Sequence, residues 1–201
     1  MSTPSLGITG GIGSGKTAAC DRLAALGARV VYADLVARHV MEHDDALRAD
    51  LVAAFGEETY DADGHLNRKA LAAAVFGDAK KVKRLNGIVH PRVRDAFFQE
   101  KREAEAHGAP LFVYEAALLF ESGADQHLDT VAVVDAPLET RIERAMQRDG
   151  ATREAVLARM KHQLDPEAAR ARADVILDNG GTLDDLHRQV DALYERLADQ
   201  R

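Results

Sequence analysis

The sequence predicts an α/β fold in which a five-stranded parallel sheet is flanked by helices and interrupted twice by helical stretches. Three observations predict it. The chain opens on a strand, a glycine-rich turn, a helix and a second strand. Short β-branched or apolar runs return three more times, and the stretches between them space their apolar residues for helices rather than alternating them. A strand–helix–strand opening joins its strands by a crossover and not by a tight turn, which makes them parallel.

Each element follows from local pattern. Leu6 to Thr9 reads as a short buried strand that runs into glycines, after which Thr17 to Leu26 carries Ala19, Leu23 and Leu26 at helical spacing. Gly27 supplies the helix stop. A second strand, Arg29 to Ala33, ends at Asp34. From Leu35 to about Gly108 the pattern is helical and no strand is predicted, with breaks at Gly56, Asp61 to Gly64, Gly77 and the His90-Pro91 pair. Strands resume at Leu111 to Tyr114 and at Thr130 to Asp135, where Val131, Val133 and Val134 form a β-branched run. Another helical stretch from Leu138 to Arg172 breaks near Gly150 and at Asp165-Pro166. A last strand, Asp174 to Leu177, precedes an amphipathic helix with Leu183, Leu186, Val190, Leu193 and Leu197 on one face. The organisation predicted is a discontinuous core of residues 1–36, 110–136 and 173–201, a helical insert of residues 37–109 and a helical hairpin of residues 137–172.

Composition narrows the function. A length of 201 residues, 46% hydrophobic, supports one good core and small inserts, not two independent domains. The net charge of -7, with Lys and Arg interleaved among acids, argues against a nucleic-acid partner and leaves open an anionic small molecule, which needs only a few cations at one pocket. Cys20 is the single cysteine, so no intramolecular disulfide or cysteine cage forms. No secretory leader pattern opens the chain, and no apolar run approaches the length of a membrane span. The expectation is a cytoplasmic protein with no membrane and no protein partner evident.

Gly10-Gly11-Ile12-Gly13-Ser14-Gly15-Lys16-Thr17 fits the phosphate-loop pattern of Gly, four residues, Gly, Lys and Ser or Thr, between a predicted strand and a predicted helix. Glycines let successive N–H groups turn inward, and the helix N-terminus adds its partial positive charge, which together cradle phosphate oxygens. The pattern assigns Lys16 to the β and γ phosphates of ATP and the Thr17 hydroxyl to Mg²⁺. Gly11, Gly13, Ser14, Gly15 and Ala18 complete the expected nucleotide contacts, and the sheet becomes a P-loop NTPase-type sheet. A dinucleotide fingerprint would need glycine where Lys16 stands.

Among phosphate-loop proteins, a GTPase switch would carry Asn-Lys-x-Asp, which is absent; Asp61-Ala62-Asp63-Gly64 satisfies a switch pattern but has no strand before it and reads as a turn. Leu111-Phe112-Val113-Tyr114-Glu115 resembles the apolar strand with a terminal acid found in mechanical ATPases, with Glu in place of Asp, and decides nothing alone. Arg141, Arg144 and Arg148, at i, i+3 and i+7, lie within about 60° around a helix. Behind a phosphate loop, such a face reads as a lid over ATP in a small-molecule kinase.

The chain resembles the dephospho-coenzyme A kinase family over almost its whole length. The resemblance is carried by Gly7-Ile8-Thr9 leading into the phosphate loop, Asp34 in Tyr32-Ala33-Asp34, Leu66-Asn67-Arg68 before Val75-Phe76, and His90-Pro91 with Arg94. Leu118-Leu119-Phe120-Glu121, Arg148-Asp149 with Gln163 downstream, and Asp178-Asn179-Gly180-Gly181 complete the ordered set. The family places Asp where Tyr32 stands and Pro where Ala117 stands. The resemblance implies transfer of the ATP γ-phosphoryl group to the ribose 3′-hydroxyl of dephospho-coenzyme A; a nucleoside or nucleotide kinase is the alternative. It implies that Asp34, Lys16 and Arg148 act in catalysis and that Arg144, Asn179 and Gly181 contact ATP. It further implies that His90, Arg94, Leu118 and Arg141 join Asp34 at the acceptor, which makes 37–109 a substrate-binding insert.

Overall fold

The computed structural model describes residues 3–199. The chain runs through β1 (Ser5–Thr9), α1 (Lys16–Ala25) and β2 (Arg29–Tyr32) into four helices, α2 (Ala33–His43), α3 (Asp45–Phe55), α4 (Arg68–Val75) and α5 (Ala79–Ala106). It returns through β3 (Phe112–Glu115), α6 (Leu119–Ser122), β4 (Thr130–Asp135), α7 (Leu138–Asp149), α8 (Arg153–Met160), α9 (Pro166–Arg172), β5 (Val175–Asp178) and α10 (Leu183–Ala198). The five strands pair in the order β2-β3-β1-β4-β5, every neighbour parallel, with Leu6 opposite Val113 on one side and Thr130 on the other.

The described residues divide into two units: those up to Tyr32 and from Lys101 onward, and Ala33–Glu100. In the first, β1 is buried at all five positions, as a strand covered on both faces must be. Alternation sends Leu6 and Ile8 to the side where Ala19 and Leu23 of α1 and Leu186, Val190 and Leu193 of α10 pack, together with Val113, Ala132 and Val134. Burial of each large side chain there contributes on the order of 2 kcal/mol. A reciprocal cap starts α10, in which Thr182 Oγ1 accepts from Asp185 N at 3.2 Å and the Asp185 carboxylate accepts from Thr182 N at 3.0 Å. As expected, the 138–172 stretch breaks at Gly150, whose φ is 62°, and at Asp165, whose side chain caps α9 ahead of Pro166. Helices α7 and α8 share a small buried cluster of Ile142, Ala145 and Val156.

The second unit has its own core of Val40, Leu47, Leu51, Tyr60, Leu66, Leu71 and Val89. Asp44 and Asn67 cap α3 and α4 by accepting from Leu47 N and Ala70 N. Asp61 to Gly64 is a turn, closed by Gly64 N donating to Asp61 O at 3.0 Å. Two sequence expectations are corrected here. The second strand stops at Tyr32, so Asp34 lies in the first turn of α2 and not at a strand's last position. The break expected at His90-Pro91 does not occur, because α5 continues through Pro91. Proline there removes only one helical hydrogen bond, to the carbonyl of Gly87, and the remaining bonds of the 28-residue helix carry it across. Helix α5 also runs from the second unit into the first, so no loop marks that boundary. Among the described residues no helix is long and apolar enough to cross a membrane.

Candidate active site

The phosphate loop is built from the end of β1 to the start of α1. Ser14 N donates to Gly11 O at 3.0 Å, closing a turn. Gly13 has φ 77°, and a Cβ on it would run into the Arg141 carbonyl; Gly15 has φ 101° with the Asn179 side-chain amide packed where its Cβ would stand. Conformation and packing therefore both demand glycine at these two positions. Lys16 is the first residue of α1, whose leading N–H groups have no intrahelical acceptor and carry the positive end of the helix dipole. Thr17 follows, exposed, with Ala18 half-buried beside it.

Lys16 Nζ donates to Gly10 O at 2.9 Å and lies 4.0 Å from Glu115 Oε1. Glu115 ends β3, directly opposite Ile8 of β1, so strand order puts its carboxylate at the carboxyl edge beside the loop. It was absent from the sequence candidates, although the apolar run before it was the signal.

Asn179 is buried and braces the loop: its Nδ2 donates to Ser14 O at 2.7 Å and its N–H to Asp135 O at 2.7 Å. The sequence placed Asn179 at ATP; the geometry shows its amide group held by the loop, with Gly181 exposed two residues on. The three arginines of α7 differ in environment. Arg141 is buried, and a Cβ on Gly11 would meet its guanidinium. Arg144 donates to the Asn179 carbonyl at 3.2 Å. Arg148 is exposed and grips Asp149 with two bonds, at 2.7 and 3.0 Å, while Arg159 reaches the same carboxylate at 2.6 Å. Hydrogen bonds from Arg148 and Arg159 hold the Asp149 carboxyl well below the usual carboxylate range. Among the described residues Ser14 Oγ and Arg141 Nε are buried without a hydrogen-bond partner. Both atoms lie at the phosphate loop, Ser14 within it and Arg141 packed against Gly11.

A cavity of about 810 Å³ opens over the carboxyl ends of β1 and β4, lined by Gly10, Gly11, Asp135, Arg141, Gln163 and Arg170. Gln163 Oε1 accepts from Ile12 N at 2.8 Å, a second contact to the loop that the sequence reading did not assign. Leu118 is 47% exposed, and the carbonyl of Ala117, the residue that departs from the family proline, accepts from Gln163.

The remaining candidates lie in the second unit. Asp34 is exposed in the first turn of α2; His90 and Arg94 are exposed on α5, four residues apart and hence on one face. The structure thus brings Gly11, Gly13, Ser14, Gly15, Lys16, Arg141, Arg144 and Asn179 together around one loop, and carries Asp34, His90 and Arg94 on a separate helical unit.

The model of the dephospho-CoA kinase family matches residues 5–185. A dephospho-CoA kinase of Salinibacter ruber is 52% identical over 189 residues, covering 94% of this chain and 95% of the relative. One of Chlorobium chlorochromatii is 42% identical, covering 97% and 94%. A solved structure from Thermus thermophilus superposes with a TM-score of 0.85 at 38% identity, covering 98% of this chain and 99% of its own. A dephospho-CoA kinase structure from Campylobacter jejuni shares the fold, with a TM-score of 0.67 at 23% identity over 98% of each chain. With the phosphate loop, its lysine and the strand-end acid in place, and relatives matching over nearly the full length, this chain belongs to the dephospho-CoA kinase family.

Proposed function

We propose that the protein transfers the γ-phosphoryl group of ATP to the ribose 3′-hydroxyl of dephospho-CoA, giving coenzyme A and ADP, the last step of coenzyme A biosynthesis. The observation that carries this reading is the phosphate loop at the carboxyl edge of the sheet, with Lys16 beside Glu115, in a chain of this family. In the reaction a bond forms between the 3′-oxygen and the γ-phosphorus as the bond from that phosphorus to the β–γ bridging oxygen breaks. ADP leaves with the bridging oxygen, and the hydroxyl proton passes to Asp34.

Lys16 leaves the Gly10 carbonyl for the β and γ oxygens, and the amides of Gly11 to Ala18 cradle the phosphates. Kinases that use ATP require a divalent cation, here Mg²⁺, and the site suits it: the Thr17 hydroxyl is exposed at the helix start and the Glu115 carboxylate lies at the neighbouring strand end. When bound, the cation neutralises charge on the phosphate oxygens; Thr17 would hold it and Glu115 would orient its water shell. Arg148 exchanges Asp149 for the transferring phosphoryl group, with Arg141 and Arg144 on the same face, while residues 137–172 act as a lid that excludes water. Asn179 and Gly181 border the adenine of ATP. His90, Arg94 and Leu118 contact the acceptor, bound by the helical insert at 37–109. The protein works in the cytoplasm on small molecules alone.

The test is a panel of acceptors with ATP and Mg²⁺, read as ADP release. Rapid turnover with dephospho-CoA, none with its 3′-deoxy analogue and little with AMP is the expected result. Rapid phosphorylation of AMP without reaction on dephospho-CoA would make the protein a nucleotide kinase.

A further inference from the structure

The tip of the phosphate loop is held from outside the loop. Ile12 sits inside the turn that Gly11 and Ser14 close, and its N–H donates to Gln163 Oε1 at 2.8 Å. Its side chain packs against the buried cluster of Ile142, Ala145 and Val156. Gln163 lies three residues beyond the end of α8, and the other end of its carboxamide, Nε2, donates to the Ala117 carbonyl at 3.2 Å. The next residue, Leu164, donates its N–H to Glu121 Oε1 at 2.6 Å. One planar group, using its acceptor and its donor, therefore ties together the phosphate loop, the 138–172 segment and the connection from β3 to α6.

The loop needs such a tie. Four of the six residues Gly10 to Gly15 are glycines, which give the backbone its tight course and leave it little stiffness of its own. Amides pointed at phosphate contribute most when their direction is fixed before the ligand arrives. Asn179 fixes the limb next to α1 through the Ser14 carbonyl, and Gln163 fixes the tip through the Ile12 N–H. The carboxamide meets both partners, whereas a carboxylate lacks the donor for Ala117 and an ammonium lacks the acceptor for Ile12. The main-chain partner at 117 is a carbonyl, which the alanine found here and the proline of the family both supply.

We propose that Gln163 is a positioning residue for the phosphate loop, acting on nucleotide binding and phosphoryl transfer through the Ile12 amide without contacting the acceptor. The inference rests on the phosphotransfer reading only for its kinetic arm. Gln163→Met keeps chain length and removes both bonds; Gln163→Glu keeps the acceptor and loses the donor. Loss of both hydrogen bonds makes the expected loss of ADP affinity for Gln163→Met about 10-fold, measured by titration calorimetry without acceptor, with an intermediate loss for Gln163→Glu. In turnover, KM for ATP rises and kcat falls while KM for dephospho-CoA stays within about twofold. ADP affinity equal to wild type in both variants would overturn the proposal, as would a fall in melting temperature with unchanged ADP affinity, since that marks a tie serving stability alone. If Gln163→Met fails to fold, ADP affinity of the folded Gln163→Glu protein decides by the same criterion. A wild-type protein inactive on dephospho-CoA would sink the acceptor reading and leave the calorimetric test of Gln163 intact.

Discussion

Lys16 and Asp34 are single residues whose proposed roles separate cleanly in experiment. Lys16 Nζ is hydrogen-bonded to the Gly10 carbonyl, so its removal costs the fold about 1 kcal/mol, whereas the phosphates lose their main side-chain cation. Lys16→Ala should retain the cooperative melt and lose at least about 10³-fold in transfer rate, checked by calorimetry beside an ADP-release assay. A variant that keeps its rate would remove Lys16 from the mechanism. Asp34→Asn should lower kcat by about 10² to 10⁴-fold with little change in ATP affinity, because Asp34 is proposed to act on the acceptor hydroxyl alone. A loss expressed as weaker ATP binding instead would reassign it. The glycines, Lys16 and Thr17 were legible in the sequence because their chemistry fixes residue types at adjacent positions. The contacts of Glu115 and Gln163 were not, for a physical reason: the Gln163 contact with Ile12 spans 151 positions, and Glu115 reaches Lys16 only because β3 pairs with β1.

At the scale of elements, the helices α7 and α8 are joined by charges as well as by their small apolar cluster. Asp149 takes hydrogen bonds from Arg148 and Arg159, and Glu139 takes two from Arg153, all at the surface. Both carboxyls are held below their ordinary values, Asp149 by Arg148 first and Glu139 by Arg153. A folded-state pKa below the unfolded one gives stability that is present above the ordinary carboxylate value and is lost as pH falls through the depressed value. Asp149→Asn should therefore melt lower than wild type near neutral pH, and the gap should close in acid, below the ordinary carboxylate value of about 4. Thermal melts of the pair at several pH values check this; a gap that persists in strong acid would show that the carboxylate charge is not what joins the helices. Exposure and salt screening keep the neutral-pH gap small. The breaks flanking α8 and the capped start of α9 were readable from Gly150 and Asp165-Pro166 because cap chemistry is local. The continuous α5 was not, since whether a proline stops a helix depends on the packing of both halves, which no dipeptide records.

Over the whole molecule, the chain builds two cores, and the proposed chemistry is divided between them. The residues around the phosphate loop belong to the unit whose core holds Leu6, Ile8 and Leu186, while Asp34, His90 and Arg94 belong to the unit centred on Leu47 and Leu51. The parallel sheet and its helical interruption were legible from element order, whereas the strand order β2-β3-β1-β4-β5 was not, because apolar runs of similar length do not announce their neighbours. The division supports a test that separates nucleotide from acceptor. Leu51 is fully buried, and Leu51→Ala leaves a cavity whose cost is about 2–5 kcal/mol, borne by the helical unit. Hydrogen exchange should accelerate across residues 33–100, and KM for dephospho-CoA should rise as that unit opens more often. ADP affinity should stay within about twofold of wild type, since none of the loop contacts described above draws on this core. Loss of ADP affinity in parallel with the faster exchange would show that the two cores act as one, and nucleotide binding would then depend on both units.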